Sequence, residues 1–424
     1  MVFPKPAANH KSTTLLRRTR VRGREMSTRA SGRRAVSSES TGGTLSEAAP
    51  VAKRRRKDSG SCVPATSKST DSSVADAPTS KAKEPSTAGS TIHSVVMVQV
   101  PKGFSLSQAA CSYGYYLVPP NLWQRCKEAP ERADSGTFSR PLRFGQRLAN
   151  AARCTISQVP SCGSVSEAKQ QEARGGNPEF NVALRVDVVS AKVLTESDQE
   201  NIRAQVVRML QTTVDLEPWL RLSPQAKKIG YGRLFRSPTV FEDMVKSITG
   251  CNMKFQGTIR MNKLLCEHFG HDQAFPTPED LEGVQAEDLK VKAKVGYRAD
   301  RILGLAKSFR DGSVDPDWLE APERTREEVF KFVKGLYGFG DYAAGNVVML
   351  LGFYEEVPMD SETVRHFKDY HGQTTKNVKE VAPKVKKEYQ AYAPYQFLQY
   401  WYEMIEWHEK KRGLAIHMWE ARDF

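Results

Sequence analysis

The sequence predicts an α+β domain followed by an all-helical domain, the pair preceded by a basic segment that has no core of its own. Three observations support this. The composition changes near residue 91, strand-like runs fill the next hundred residues, and from Ser223 onward apolar residues recur at helical spacing.

The chain has 424 residues, enough for two or three domains of ~100–200 residues each. Its net charge of +14 is concentrated at one end. Residues 1–90 carry 18 Lys and Arg against 7 Asp and Glu, whereas the rest of the chain carries 45 against 42. That first segment is Ser, Thr, Ala, Pro, Lys and Arg with almost no aromatic residues, so it cannot bury enough apolar surface to offset the entropy of ordering, and it is expected to be a disordered basic tail. The run Lys53-Arg54-Arg55-Arg56-Lys57 resembles a nuclear localisation signal; it also suits loose attraction to phosphates, or simple solvation. The first ~35 residues, rich in Arg and Ser with Glu25 as their one acid, have the composition of an organelle transit peptide. The nucleus is the expected location, with mitochondrion or plastid as the alternative.

No apolar stretch approaches the ~18 residues of a spanning helix, and no membrane partner is expected. The seven cysteines, Cys62, Cys111, Cys126, Cys154, Cys162, Cys251 and Cys266, include no C-x-x-C pair. This fits a reducing compartment and lacks the ligand spacing of a zinc or iron-sulfur site, so no metal or organic cofactor is expected.

In the α+β domain, residues 91–215, Ser94–Val100 is β-rich. Further strand-like runs lie at Tyr115–Val118, Pro141–Leu148, Arg153–Val159 and Phe180–Val189, with an exposed loop over Gly163–Pro178. A helix over Asp198–Leu210 places Ile202, Val206, Met209 and Leu210 on one face. The helical domain, residues 216–424, contains the apolar sets Phe241/Met244/Val245/Ile248, Ala299/Ile302/Leu303/Ala306, Val329/Phe332/Val333/Leu336 and Ala344/Val347/Val348/Leu351. For the first of these helices Ser237 is read as N-cap with Pro238 at the first helical position. Such stripes supply architecture and no chemistry.

The segment Leu336-Tyr-Gly-Phe-Gly-Asp-Tyr-Ala-Ala-Gly-Asn346 reads as a helix end, a two-glycine turn and a new helix. Gly338 and Gly340 permit a tight hairpin whose N–H groups face an anion such as a DNA phosphate; the plainer reading is a turn between packed helices. About twenty residues on, Val357-Pro-Met-Asp360 places one carboxylate after a loop and a proline. Asp360 suits a helix N-cap and equally a catalytic acid, and a capping Asp is rigidly aimed.

Together these features resemble the helix-hairpin-helix DNA glycosylase superfamily, nearest its 8-oxoguanine and alkylbase branches. Its hairpin L-P-G-x-G-x-x-x-A precedes a V-P-x-D bearing the catalytic aspartate; Tyr337 replaces the proline here. Cys251-Asn252-Met253, Val295-Gly-Tyr-Arg-Ala-Asp-Arg-Ile302 and Pro394-Tyr395 resemble further segments, so the likeness runs over residues 216–408. More weakly, the α+β domain resembles the TBP-like domain of these branches. The resemblance implies a base excision repair enzyme acting as a monomer on damaged double-stranded DNA. Asp360 would stabilise the oxocarbenium-like transition state, with Asn252 and Met253 plugging the gap left by an everted base, Tyr297 wedging the opposite strand and Arg298 donating to the orphaned base or a phosphate. Tyr297 is also read as a half-buried core residue and Arg298 as an ordinary helix charge.

Bifunctional members carry a Schiff-base lysine where this chain has Tyr342, which implies base hydrolysis without strand cleavage. Lys246, Lys254 and Lys334 are read as exposed helix charges, and His366 and His371 as surface histidines. The base-reading positions of the 8-oxoguanine branch fall on Tyr400 and Met404, and its His two residues after the aspartate is Glu362, departures that disfavour 8-oxoguanine. Tyr400, Trp401, Tyr402 and Trp407 suit stacking on an electron-poor alkylated base, or core packing. The competing classes are a DNA-binding module that has lost the chemistry and an interaction scaffold.

Overall fold

The computed structural model describes residues 91–125, 136–160 and 182–423. The basic tail and the loop read over Gly163–Pro178 lie outside these residues.

Five strands form one antiparallel sheet: β1 (Ile92–Gln99), β2 (Leu122–Gln124), β3 (Thr137–Phe144), β4 (Asn150–Pro160) and β5 (Val182–Ser190), in the order β1-β5-β4-β3-β2. Side chains alternate across it, so Val96, Val98, Phe138, Leu142, Cys154, Ile156, Leu184, Val186 and Val188 all enter the core. Helix α1 (Leu106–Ala110) follows β1, and α2 (Glu196–Leu210) packs on β1 and β3. A capping box fixes the start of α2, with Thr195 and Asp198 each accepting from the other's backbone N–H. The Tyr115–Val118 segment is not a strand but a 3₁₀ turn over Gly114–Leu117. Its amides bond locally, Tyr116 N to Tyr113 O at 3.1 Å and Val118 N to Tyr115 O at 3.0 Å, so aromatic β-propensity yields to turn geometry.

The helices that follow are α3 (Glu217–Leu222), α4 (Pro224–Ile229), α5 (Val240–Gly250), α6 (Phe255–Phe269), α7 (Ala286–Lys292), α8 (Ala299–Arg310), α9 (Pro316–Glu320), α10 (Arg326–Gly335), α11 (Asp341–Leu350), α12 (Ser361–Asp369), α13 (Val378–Tyr389) and α14 (Gln396–Arg412). Thr239, not Ser237, caps α5. Its hydroxyl accepts from Glu242 N at 3.2 Å, while the Ser237 amide already donates to Asp243 Oδ1 at 2.7 Å and Pro238 lies before the cap. One hydrophobic cluster joins the sheet to α12, α13 and α14 through Phe367, Tyr389, Phe397 and Met404. A second, around Met244, Ile302, Val333 and Val347, binds α5 to α11 together. No helix among the described residues is long and apolar enough to cross a membrane.

Candidate active site

The hairpin between α10 and α11 is closed by the Phe339 amide, which donates to Leu336 O at 3.2 Å, and anchored by the buried Phe339 ring. Gly338 has φ +96°, and a Cβ there would stand 2.5 Å from Arg301 Cδ, so backbone conformation and space both ask for glycine. Gly340 is the N-cap of α11 and brings no side chain to its first-turn N–H groups. At its start Asp341 pairs with Lys334 at 2.5 Å, which leaves Lys334 where the sequence reading put it, on the surface.

Gly345, one turn into α11, lets the helix approach Pro358: an added Cβ would lie 3.3 Å from the proline ring. This close packing sets the Val357–Asp360 segment beside the hairpin. Asp360 caps α12, its Oδ1 accepting from Glu362 N at 2.9 Å, Thr363 N at 3.1 Å and Thr363 Oγ1 at 3.4 Å, which leaves Oδ2 outside the cap. The Tyr342 phenol lies close enough to the same carboxylate to feel its charge. Desolvation, then the Asp360 charge, raise the Tyr342 phenol above its ordinary range. Tyr113 and Tyr400 are raised too, first by burial and with the Asp360 charge contributing. One partly buried carboxylate thus stands among three tyrosines.

Aromatic residues wall this corner. Tyr113 lies 4.9 Å from both Tyr115 and Trp401, and the Trp401 indole donates to Ser112 O at 2.8 Å. The Tyr400 hydroxyl is 3.3 Å from Thr363 Oγ1, and Met404 is buried below. Tyr115 lies in the 3₁₀ turn after α1 and Tyr113 is its N-cap; reading Tyr115–Val118 as a strand hid Tyr115, and Tyr113 was not singled out.

The remaining predicted residues form the rim. Asn252 holds φ +50° at the turn after α5, and Met253 is exposed, its sulfur lying over Gly257. Tyr297 is 50% exposed and its ring is flanked by Arg298 and Arg301, with guanidinium carbons 4.6 and 4.8 Å from its centroid. It is therefore a surface ring, not a half-buried core residue. Arg298 is only 4% exposed: its guanidinium donates to Ile248 O at 3.2 Å, Asn252 O at 3.5 Å and Cys251 O. It satisfies carbonyls at the end of α5 and in the turn beyond, so it positions Asn252 rather than standing as an open helix charge.

Two further readings change. Lys246 is no exposed helix charge but 0% exposed, with Nζ 2.7 Å from Glu242 Oε1, because α5 is enclosed on every side. His366 and His371 are not surface histidines either; they converge on Glu403 beneath α12. A cavity of about 250 Å³ between Arg143, Gln205, Phe275 and Phe309 lies apart from this corner, and none of the predicted site residues lines it. The corner itself carries the convergent carboxylate, hydroxyls and rings, and that chemistry marks the site.

Known structures share this fold of a sheet domain followed by a helical lobe. The 3-methyladenine DNA glycosylase of Archaeoglobus fulgidus is 16% identical with a TM-score of 0.51, the match covering 73% of this chain and 97% of that one. The protein MBOgg1, solved in complex with a low-affinity DNA ligand, is 16% identical with a TM-score of 0.50, covering 74% and 96%. Clostridium acetobutylicum 8-oxoguanine glycosylase/lyase is 14% identical with a TM-score of 0.48, covering 73% and 98%. No family model and no curated protein sequence matches the chain. The fold is that of the helix-hairpin-helix DNA glycosylases.

Proposed function

We propose that the chain is a monofunctional DNA N-glycosylase, which everts a damaged base from duplex DNA and hydrolyses its glycosidic bond. The observation that carries this reading is the capped Asp360, held beside the glycine hairpin by the close approach of Gly345 to Pro358. The uncapped N–H groups of α11 suit a phosphate, and a carboxylate aimed from that corner suits the positive charge that develops on the sugar as the C1′–N bond breaks. Water, oriented or deprotonated by Asp360, completes the hydrolysis. Base excision repair in the nucleus follows as the cellular setting, and the sheet domain is the counterpart of the TBP-like domain.

Tyr342 offers no amine to form an imine, so the product is an abasic site in an intact strand. Borohydride is expected to trap no covalent DNA adduct with the unsubstituted protein, whereas Tyr342→Lys brings an amine to the Asp360 corner and should trap one. Robust trapping without the substitution would show that another amine serves, and the monofunctional reading would be lost.

The aromatic residues gathered at this corner, Tyr113, Tyr342 and Trp401, suit a cationic, alkylated base, a cation–π contact being worth ~0.5–2 kcal/mol. The decisive experiment is release of free base from duplexes carrying alkylated, deaminated or oxidised bases. Alkylated duplexes are expected to lose base and to break only on treatment with hot alkali. Tight, salt-sensitive duplex binding with no base released from any substrate would instead establish a binding module.

The hairpin supplies a separate check. Gly338→Ala forces a Cβ into a positive-φ position beside Arg301, a strain of ~1–3 kcal/mol. Duplex affinity should fall about tenfold in a binding titration; unchanged affinity would mean that this corner does not hold the backbone.

A further inference from the structure

Beneath α12 four polar atoms from separate parts of the chain meet at one point. His366 Nε2 lies 3.3 Å from Glu403 Oε2, His371 Nε2 lies 3.1 Å from the same oxygen, and the Tyr389 hydroxyl donates to it at 2.6 Å. The two imidazole nitrogens also stand 3.3 and 3.2 Å from the Tyr389 oxygen. The ligand atoms of His366, His371 and Glu403 lie within 4.8 Å of one another. A tetrahedral ion with bonds of ~2.0–2.1 Å requires ligand atoms ~3.3–3.4 Å apart, close to the separations between each imidazole and the carboxylate.

We propose that His366, His371 and Glu403 form a zinc site, distinct from the Asp360 corner and independent of the glycosylase reading. Two imidazoles and one carboxylate are a donor set suited to Zn²⁺, with water in the fourth position. Outer partners orient the carboxylate, Tyr389 donating to Oε2 of Glu403 and Gln399 Nε2 to Oε1 at 2.9 Å, while Nδ1 of His366 is buried without a partner. His371, the less buried of the two histidines, gives the ion its way in. The ion would pin the last turns of α12 to α14. Asp360 caps the start of α12, which is tied to α14 again by Thr363 and Tyr400, so the clamp steadies the element that aims the carboxylate.

The test uses the full chain stripped with chelator and titrated with Co²⁺ as a spectroscopic stand-in, then with Zn²⁺. One equivalent of Co²⁺ should give visible absorption that Zn²⁺ abolishes, and Zn²⁺ should raise the thermal midpoint. His371→Ala and Glu403→Gln should each weaken the metal by more than ~100-fold, beyond the effect of losing an outer partner. Absence of saturable binding, or affinity unchanged in both variants, would overturn the proposal. Should both variants fail to fold, X-ray absorption at the zinc edge of the unsubstituted chain decides: two imidazoles with oxygen support it, and cysteine sulfur refutes it.

Discussion

Replacing Asp360 by Asn is expected to slow base release by ~10²–10⁴-fold while leaving duplex affinity within about threefold, the signature of a group that acts in the transition state. Asparagine is the informative choice. Its side-chain oxygen can still accept from Glu362 N and Thr363 N, so α12 keeps its cap and the corner its shape, and only the negative charge disappears. Asp360→Ala would also remove the cap, at ~0.5–2 kcal/mol of stability, and would confuse folding with chemistry. The comparison is a single-turnover assay of free base beside an equilibrium binding titration. Equal rates for Asp360→Asn and the unsubstituted protein would remove Asp360 from the chemistry.

The largest effect on stability is expected at Glu242. Its carboxylate lies 2.8 Å from Arg140 Nη2 on β3 and 2.7 Å from Lys246 Nζ on its own helix, with all three side chains nearly inaccessible to water. Burial alone would raise its pKa, but Arg140 and Lys246 outweigh burial and hold it down at about 2. Glu242→Ala strands two buried cations, and breaking a buried pair in this way costs ~3–5 kcal/mol. Denaturant titration should show that loss, while Lys246→Met, which keeps the Arg140 pair, should lose less. A loss below ~1 kcal/mol for Glu242→Ala would mean that the two cations find other partners. The sign of the pH dependence follows from the lowered pKa. The contribution is complete above the ordinary value of 4.5 and disappears as the pH falls toward about 2.

The helical lobe was legible because its periodicity is local: Phe241, Met244, Val245 and Ile248 recur at i, i+3, i+4 and i+7 and all face the core. The hairpin and the Asp360 cap were legible for a similar reason, since Gly338, Gly340 and the capping residue declare themselves within a few positions. What escaped depends on distant partners. Lys246 looks like any helix charge until Arg140, more than a hundred residues away, joins it at Glu242. His366 and His371 acquire meaning only with Tyr389 and Glu403 from two later helices. Arg298 sits at a helix start where an exposed charge is the ordinary outcome, and the carbonyls that draw it inward belong to α5 and the turn beyond it. Tyr115 was hidden by β-propensity in a segment whose hydrogen bonds are local.

The central claim is geometric: one corner holds a DNA phosphate while Asp360 faces the sugar of the everted nucleotide. A crystal structure with a duplex carrying a non-hydrolysable abasic-site analogue tests it directly. A backbone phosphate is expected within hydrogen-bonding distance, ~2.7–3.2 Å, of the N–H groups at Gly338–Tyr342, with the sugar against the Asp360 carboxylate. Duplex bound on another face, with Asp360 remote from the lesion, would contradict the account.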